Sequence, residues 1–224
     1  MAEQTEYRQR LDAAALALNV NLEPAQADAL LSYIGQLQRW NRTYNLTALR
    51  EPEQMLVQHL FDSLSVVKPI VTELYKTTAT SRRIVDVGSG AGLPGVVLAI
   101  MQPEWEVFCV DAVEKKMAFV RQMASVLRLP NLHAIHARVE TLPPFNADIV
   151  VSRAFASLID FARLAGLHVA ENGHLLAMKG REPQDEIDTL EQQTDWRQSH
   201  LQTLLVPELN AQRCLVWLSR QGIS

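Results

Sequence analysis

The chain has only two cysteines in 224 residues, Cys109 and Cys214. Both fall inside apolar, strand-like runs, so they read as small buried hydrophobes of a reducing compartment and not as a disulfide pair. No uncharged apolar run approaches the roughly 20 residues of a membrane span. The first residues, MAEQTEYRQR, lack the apolar segment of a secretory signal, and the expected location is the cytoplasm. Positive charge is also scarce. The net charge is −4, which argues against coating nucleic acid by bulk attraction but leaves room for a local basic patch that docks one structured site. There is no G-x-S-x-G, no Walker lysine, no H-E-x-x-H and no Cys/His cluster. His133 and His136 lie on one strand at a three-residue offset and point to opposite faces, so they make no metal pair. No metal is expected.

What is present is concentrated in one stretch, Arg83 to Met101, RIVDVGSGAGLPGVVLAIM. An apolar strand runs into Gly88, Gly90, Gly92 and Gly95, and an apolar helix follows. This is how an α/β protein offers bare backbone N–H groups to a nucleotide-like ligand. Gly90, Gly92 and Gly95 satisfy the dinucleotide pattern G-x-G-x-x-G, with Asp111 near the place of its ribose-binding acid. Two details point elsewhere. Asp86 sits inside the strand end, where it either organises the turn or faces a cationic ligand through water. Pro94 enters the first helical turn and gives no N–H to a pyrophosphate. Strand-D-x-G-x-G-x-G resembles the first motif of S-adenosylmethionine (AdoMet) methyltransferases, whose ligand has no phosphate and a positive sulfonium. A dinucleotide and a plain packing turn stay open at this point.

Residues 1–75 read as helices without strands. Helical spacing covers Glu3 to Leu18, and a helix from Pro24 carries the stripe Ala27, Leu30, Leu31, Ile34, Leu37 and Trp40. Asn41 to Thr47 reads as a polar turn. A third helix from Pro52 carries Met55, Leu56, His59, Leu60 and Ser63 on one face. A linker over 76–82 leads to a second unit, 83–224, where strands and helices alternate. Strands are expected at Trp105–Val110, Asn131–Ala137, Ala147–Val151, His174–Met178, Leu201–Val206 and Arg213–Leu218. Helices are expected at Glu114–Leu127, Leu158–Val169 and Pro183–Gln193. The last two strands are joined too closely for a parallel crossover and must be antiparallel. A parallel sheet closed by an antiparallel strand is the plan of a methyltransferase and not of a dinucleotide dehydrogenase.

Ligands of open α/β sheets sit beyond the carboxyl ends of the strands, so those ends hold the candidates. Asp111 suits a ribose diol, or caps the following helix, or does both. Val139 and Glu140 suit an adenine, the alternative being an exposed loop. Arg153 suits the AdoMet carboxylate or a phosphate, and Lys179 and Arg181 suit phosphate; the alternative for all three is a solvated loop cation. Lys115 and Lys116 read first as a solvated helix face.

The chain closely resembles the bacterial 16S ribosomal RNA guanine-N7 methyltransferases, historically the glucose-inhibited division protein B family. The resemblance runs through Trp40-Asn41 with Asn45-Leu46-Thr47, His59-Leu60-Phe61-Asp62-Ser63-Leu64, the segment Asp86 to Gly95, Lys115-Lys116, Arg138-Val139-Glu140, Ser152-Arg153-Ala154-Phe155-Ala156-Ser157 and Met178-Lys179-Gly180. It implies a Rossmann-like AdoMet-dependent domain with an N-terminal helical extension. It also implies cofactor contacts at Gly88, Gly90, Leu93, Asp111, Val139, Glu140 and Arg153, and one methylated guanine in 16S rRNA. Guanine N7 carries a lone pair and no proton, so no general base is needed. Arg153 and Lys179 are then expected to position the substrate, with Arg39, Arg42, Lys115 and Arg181 as outer RNA contacts. The acidic net charge favours RNA already folded in a 30S subunit or assembly intermediate. Methylation of another acceptor, a non-enzymatic assembly factor and an NAD-linked oxidoreductase are the competing readings.

Overall fold

A computed structural model describes residues 2–76 and 82–221. Positions 77–81 of the expected linker lie outside it. The chain opens with α1 (Ala2–Ala17) and α2 (Pro24–Tyr44). Proline at the first position of α2 loses no hydrogen bond. Gln26 joins that end to the rest of the molecule: its Oε1 accepts the Glu23 N–H at 3.0 Å, and its Nε2 donates to the carbonyls of Ile100 and Met101 at 3.2 and 3.1 Å. The expected stripe Ala27, Leu30, Ile34 and Leu37 is buried and gains Tyr33, whereas Leu31 and Trp40 are only partly covered.

Asn41 to Thr47 is not one turn. α2 continues to Tyr44, and Asn41 is a buried helical residue. Its amide explains why a polar side chain is tolerated there. Nδ2 donates to the Leu49 carbonyl at 2.8 Å and Oδ1 accepts the Thr47 N–H at 2.9 Å, folding the following loop back onto the helix. Then α3 (Pro52–Met55), a π-helical stretch (Leu56–Phe61) and α4 (Asp62–Leu64) run on as one segment, and α5 (Val67–Leu74) follows.

The second unit runs β1 (Arg82–Val87), α6 (Gly95–Met101), β2 (Trp105–Asp111), α7 (Glu114–Val126), β3 (Leu132–His136), a 3-10 turn (Val139–Thr141), β4 (Ala147–Ser152), α8 (Leu158–Ala165), β5 (Val169–Lys179), α9 (Gln184–Gln193), β6 (Trp196–Thr203) and β7 (Cys214–Arg220). The seven strands lie in the order β3-β2-β1-β4-β5-β7-β6. β7 is antiparallel to both neighbours, as the short 207–212 connection requires, and the remaining pairs are parallel.

Element bounds in the second unit differ from expectation most at β6 and at the α8–β5 junction, and Arg82 of the expected linker already belongs to β1. β6 spans Trp196–Thr203 and not Leu201–Val206. This edge strand is polar over most of its length, with Trp196 its one buried residue, whereas the apolar Leu204 and Val206 lie beyond its end in the core. β5 begins at Val169, so α8 ends at Ala165, well before the expected Val169. Residues 170–173, with the polar pair Glu171 and Asn172, belong to an irregular register opposite Ala147 to Ile149. Gly173 is needed there because a Cβ would stand 2.7 Å from the Ala147 carbonyl oxygen.

Period-two alternation builds two cores. Ile84, Ile149, Val151, Leu176, Leu215 and Trp217 face one way, and Val85, Val87, Val150, Leu175, Val216 and Leu218 face α8 and α9. The N-terminal helices have no core of their own. Leu30, Tyr33, Leu37 and Leu60 lie in the same cluster as Val96, Leu98, Phe119 and Trp217. Among the described residues no helix is long and apolar enough to cross a membrane. Replacing Asn41 by alanine leaves Thr47 N–H and Leu49 C=O without their partners, and is expected to cost about 2 to 3 kcal/mol. A urea-unfolding midpoint that does not move would contradict this account of the loop.

Candidate active site

Beyond β1 the chain turns through Gly88, Gly90 and Gly92, all at positive φ. The N–H groups of Gly88 and Ser89 donate to the Val110 carbonyl at 2.8 and 3.2 Å, which ties the loop to the end of β2. The glycines divide by what surrounds them. A Cβ on Gly92 would stand 2.5 Å from Val96 Cγ2, and one on Gly95 would strike Cys109 Sγ. These two serve packing. Gly90 alone is open, with nothing nearer to such a Cβ than the Lys116 ammonium at 4.0 Å. Tyr33 supports the loop from α2, its buried hydroxyl donating to the Ala91 carbonyl at 2.9 Å.

Asp86 organises the turn. It is fully buried and its Oδ2 accepts the Gly95 N–H at 2.7 Å. Burial pushes its pKa up to about 7, against the opposing pull of the Gly95 hydrogen bond and the Arg153 charge. The Gly95 hydrogen bond gives Asp86 the turn-organising role, the first of its two expected readings, while its Oδ1 is buried with no protein partner among the described residues.

Asp111 ends β2 and is almost enclosed. Its Oδ2 accepts the Gly90 N–H and its Oδ1 the Val113 N–H, both at 2.9 Å. Val113 is itself the N-cap of α7 and no side chain caps that helix, so the expected capping role is not what Asp111 does; it holds the turn that leads into α7. Each carboxylate oxygen keeps a second lone pair, and a diol partner is compatible with that role.

Gly88, Gly90, Leu93, Arg153 and Lys179 line one cleft of about 570 Å³. It also takes in Thr47, Gln58, His59 and Asp62 from the helical segment and Arg213 from the approach to β7. Asp62 is buried, its Oδ2 accepting from Arg153 Nη1 at 2.9 Å and its Oδ1 from Arg213 Nε at 3.0 Å. Neither Asp62 nor Arg213 is identified by sequence reasoning. The signal for Asp62 is an acid inside the apolar run Leu60 to Leu64; its partners lie 91 and 151 residues away. His59 Nε2 lies 2.8 Å from Thr47 Oγ1, and burial, reinforced by the Arg153 charge, pushes its pKa down to about 4.

Lys179 differs from the free cation expected. Its ammonium donates to the carbonyls of Phe155 and Ala156 at 3.3 and 3.1 Å and to Glu186 at 2.8 Å, so all three protons have protein partners. It staples the loop after β4 to α9. Arg181 is exposed in the adjoining loop hollow that shares Lys179 and Gly180 with the cleft. Val139 is buried in the 3-10 turn, with its carbonyl 2.9 Å from His168 Nε2, and Glu140 is exposed beside Arg138; neither lines the cleft. Arg42 and Lys115 are exposed, and Arg39 lines a separate hollow between α1 and α2. A larger hollow of about 780 Å³ lies between α5 and β6, but the glycine loop takes no part in it.

The donor set fits AdoMet. The open backbone at Gly90 adjoins a carboxylate suited to a diol, and the Arg153 guanidinium across the cleft suits an amino-acid carboxylate. The antiparallel β7 sets the sheet apart from the all-parallel dinucleotide plan. Among the described residues no group of three His, Cys, Asp or Glu is placed to hold a metal.

The elevated Asp86 pKa has a definite sign. Between about pH 4 and pH 7 the unfolded chain ionises this carboxyl while the native chain keeps its proton, so stability falls as pH rises through that window. Asp86→Asn keeps an acceptor for Gly95 and should flatten that part of a melting-temperature profile. An unaltered profile would remove Asp86 as its source.

Residues 26–216 match the family model described as rRNA small subunit methyltransferase G. A Bordetella petrii protein named ribosomal RNA small subunit methyltransferase G is 64% identical over 211 residues, covering 94% of this chain and 82% of its own. A Bordetella avium protein of the same name is 57% identical over 220 residues, covering 98% and 96%. Among solved structures, a SAM-dependent methyltransferase of Leishmania major superposes with a TM-score of 0.59 at 16% identity, over 84% of this chain and 83% of that one, a likeness of fold. With a glycine loop, an acid closing β2 and an antiparallel β7 already in place, these matches decide the family: the chain belongs to the rRNA small subunit methyltransferase G family.

Proposed function

We propose that this protein transfers the methyl group of AdoMet to N7 of one guanine in 16S rRNA, acting in the cytoplasm on RNA already folded in a 30S subunit or assembly intermediate. The observation that carries the reading is the make-up of the cleft. Its floor is bare backbone beside a carboxylate, and its wall is two guanidinium groups. Burial pushes the His59 pKa down to about 4 and makes it a weak proton acceptor, Asp62 is engaged by two arginines, and Asp86 is enclosed beneath the glycine loop. An acceptor with a proton to lose would be poorly served. Guanine N7 has none.

AdoMet, when bound, supplies an electrophilic methyl on a positive sulfur. The chain's own part is to hold and align. Gly88, Gly90 and Leu93 form the floor, Asp111 accepts the ribose hydroxyls, and Val139 and Glu140 flank the adenine from the end of β3. Arg153 pairs with the amino-acid carboxylate. Lys179 acts through the loop it staples, keeping Arg153 at the cleft mouth. Lys115 and Arg181 are outer phosphate contacts beside the cleft, and Arg39 and Arg42 extend that role along α2. With no proton to move, rate rests on bringing N7 within near-attack distance of the methyl, roughly 3 to 3.5 Å and in line. The net charge of −4 supports a substrate recognised by its folded shape as well as by phosphate.

The purified protein is incubated with methyl-labelled AdoMet and 30S subunits from cells lacking it, and the digested RNA is read by mass spectrometry. One N7-methylguanosine per subunit is expected, with slower labelling of naked 16S RNA. Asp111→Ala should weaken AdoMet binding at least tenfold. Label appearing only in protein or small molecules would overturn the acceptor, and equal rates on naked RNA would overturn the preference for assembled particles.

A further inference from the structure

The cleft wall contains a charge arrangement that the cofactor does not account for. Asp62 is 4% exposed and sits between two guanidinium groups, one per carboxylate oxygen. One carboxylate balances one of them, and a positive charge is left over. The two arginines also keep donors. Arg153 uses Nη1 for Asp62 and for the Gln58 carbonyl at 3.4 Å. Arg213 uses Nε for Asp62 and Nη1 for the Gln212 carbonyl at 2.9 Å. Among the described residues neither Nη2 has a partner, and each side chain is about one quarter exposed, at 23% and 26%.

The two are not equivalent in position. Arg153 follows β4 beside the glycine loop, where its charge is felt by Asp86 and Tyr33. Arg213 precedes β7 and lies over Gly180, where a Cβ would stand 4.0 Å from its Nη1. That places Arg153 on the glycine-loop side and Arg213 at the far side, beyond the end of β5. A planar guanidinium fixed through Nε, with Nη2 free, matches a phosphate oxygen in a way a mobile lysine does not. Asp62 comes from the helical segment, so the helical unit sets the aim of both cations.

We propose that Arg213 receives a backbone phosphate of the RNA at the target nucleotide, and that Asp62 is the positioning residue holding Arg213 and Arg153 on opposite sides of the transfer point. The inference rests on the RNA methyl-transfer reading above. No covalent step is added to it.

The test measures AdoMet affinity by calorimetry, 30S affinity across a salt series, and methyl transfer, for Arg213→Ala, Arg213→Gln, Arg213→Lys and Asp62→Asn. Arg213→Ala should leave AdoMet affinity within twofold of wild type and lower 30S affinity about tenfold. Its plot of log affinity against log salt should be shallower by about 0.7 to 0.9, the signature of one lost phosphate contact. Arg213→Gln keeps a donor for Asp62 and loses the charge, so it should show the same slope even where alanine disturbs folding. Arg213→Lys should restore the slope without the full affinity, lacking the fork. Asp62→Asn should weaken both ligands. If Arg213→Ala and Arg213→Gln weaken AdoMet and leave the salt slope unchanged, Arg213 belongs to the cofactor and the inference falls. Wild type that labels no rRNA is a different result, and it sinks the function itself.

Discussion

A buried carboxylate between two arginines holds the cleft together. Asp62 comes from the N-terminal helices, Arg153 from the loop after β4 and Arg213 from the entry to β7, and these parts meet at one side chain. Taking such charges out of water is costly unless each finds a partner, and removing one leaves the others stranded. The ion group is therefore weak evidence for stability and strong evidence for geometry. The helical segment cannot shift against the sheet without separating Asp62 from its arginines. The shared apolar cluster of Leu30, Tyr33, Leu37 and Leu60 with Val96, Leu98 and Phe119 enforces the same register over a wider area. Contacts of this kind make the helices a wall of the site.

The glycine loop is built on the same principle of outside support. Three left-handed glycines permit the turn, but its position comes from groups behind it. Asp86 holds the Gly95 N–H, Tyr33 holds the Ala91 carbonyl, Val110 receives the N–H groups of Gly88 and Ser89, and Asp111 receives that of Gly90. Only Gly90 is left open toward the cleft. A loop pinned at so many points loses little conformational freedom on binding, which favours affinity and exact placement of a ligand. For a reaction that moves no proton, placement is most of the catalysis.

Burial explains why the cleft chemistry is quiet. It disfavours the charged forms of Asp86 and His59, raising the pKa of the one to about 7 and lowering that of the other to about 4. The positive charge of the cleft wall is carried by arginines, which do not titrate. The site suits an acceptor whose own lone pair is ready.

Much of this was legible in the sequence because it depends on local pattern. The strand-glycine-helix stretch, the run of parallel strands, the antiparallel close and Asp111 at the end of β2 all follow from spacing and apolar periodicity. The short 207–212 connection alone forces β7 to reverse. Boundaries were read less well wherever tertiary contacts override periodicity: Asn41 stays helical because Thr47 and Leu49 satisfy its amide, and Leu204 and Val206 join the core and not the edge strand. The division among functional side chains was decided by the tertiary structure alone. Lys179 has its three protons taken by the loop and α9, while Asp62, an acid in an apolar run, and Arg213, unremarkable in its own segment, form the cleft wall. Periodicity reports which face of an element is buried. It carries no record of a partner 151 residues away, because that pairing arises only when the helices close over the sheet.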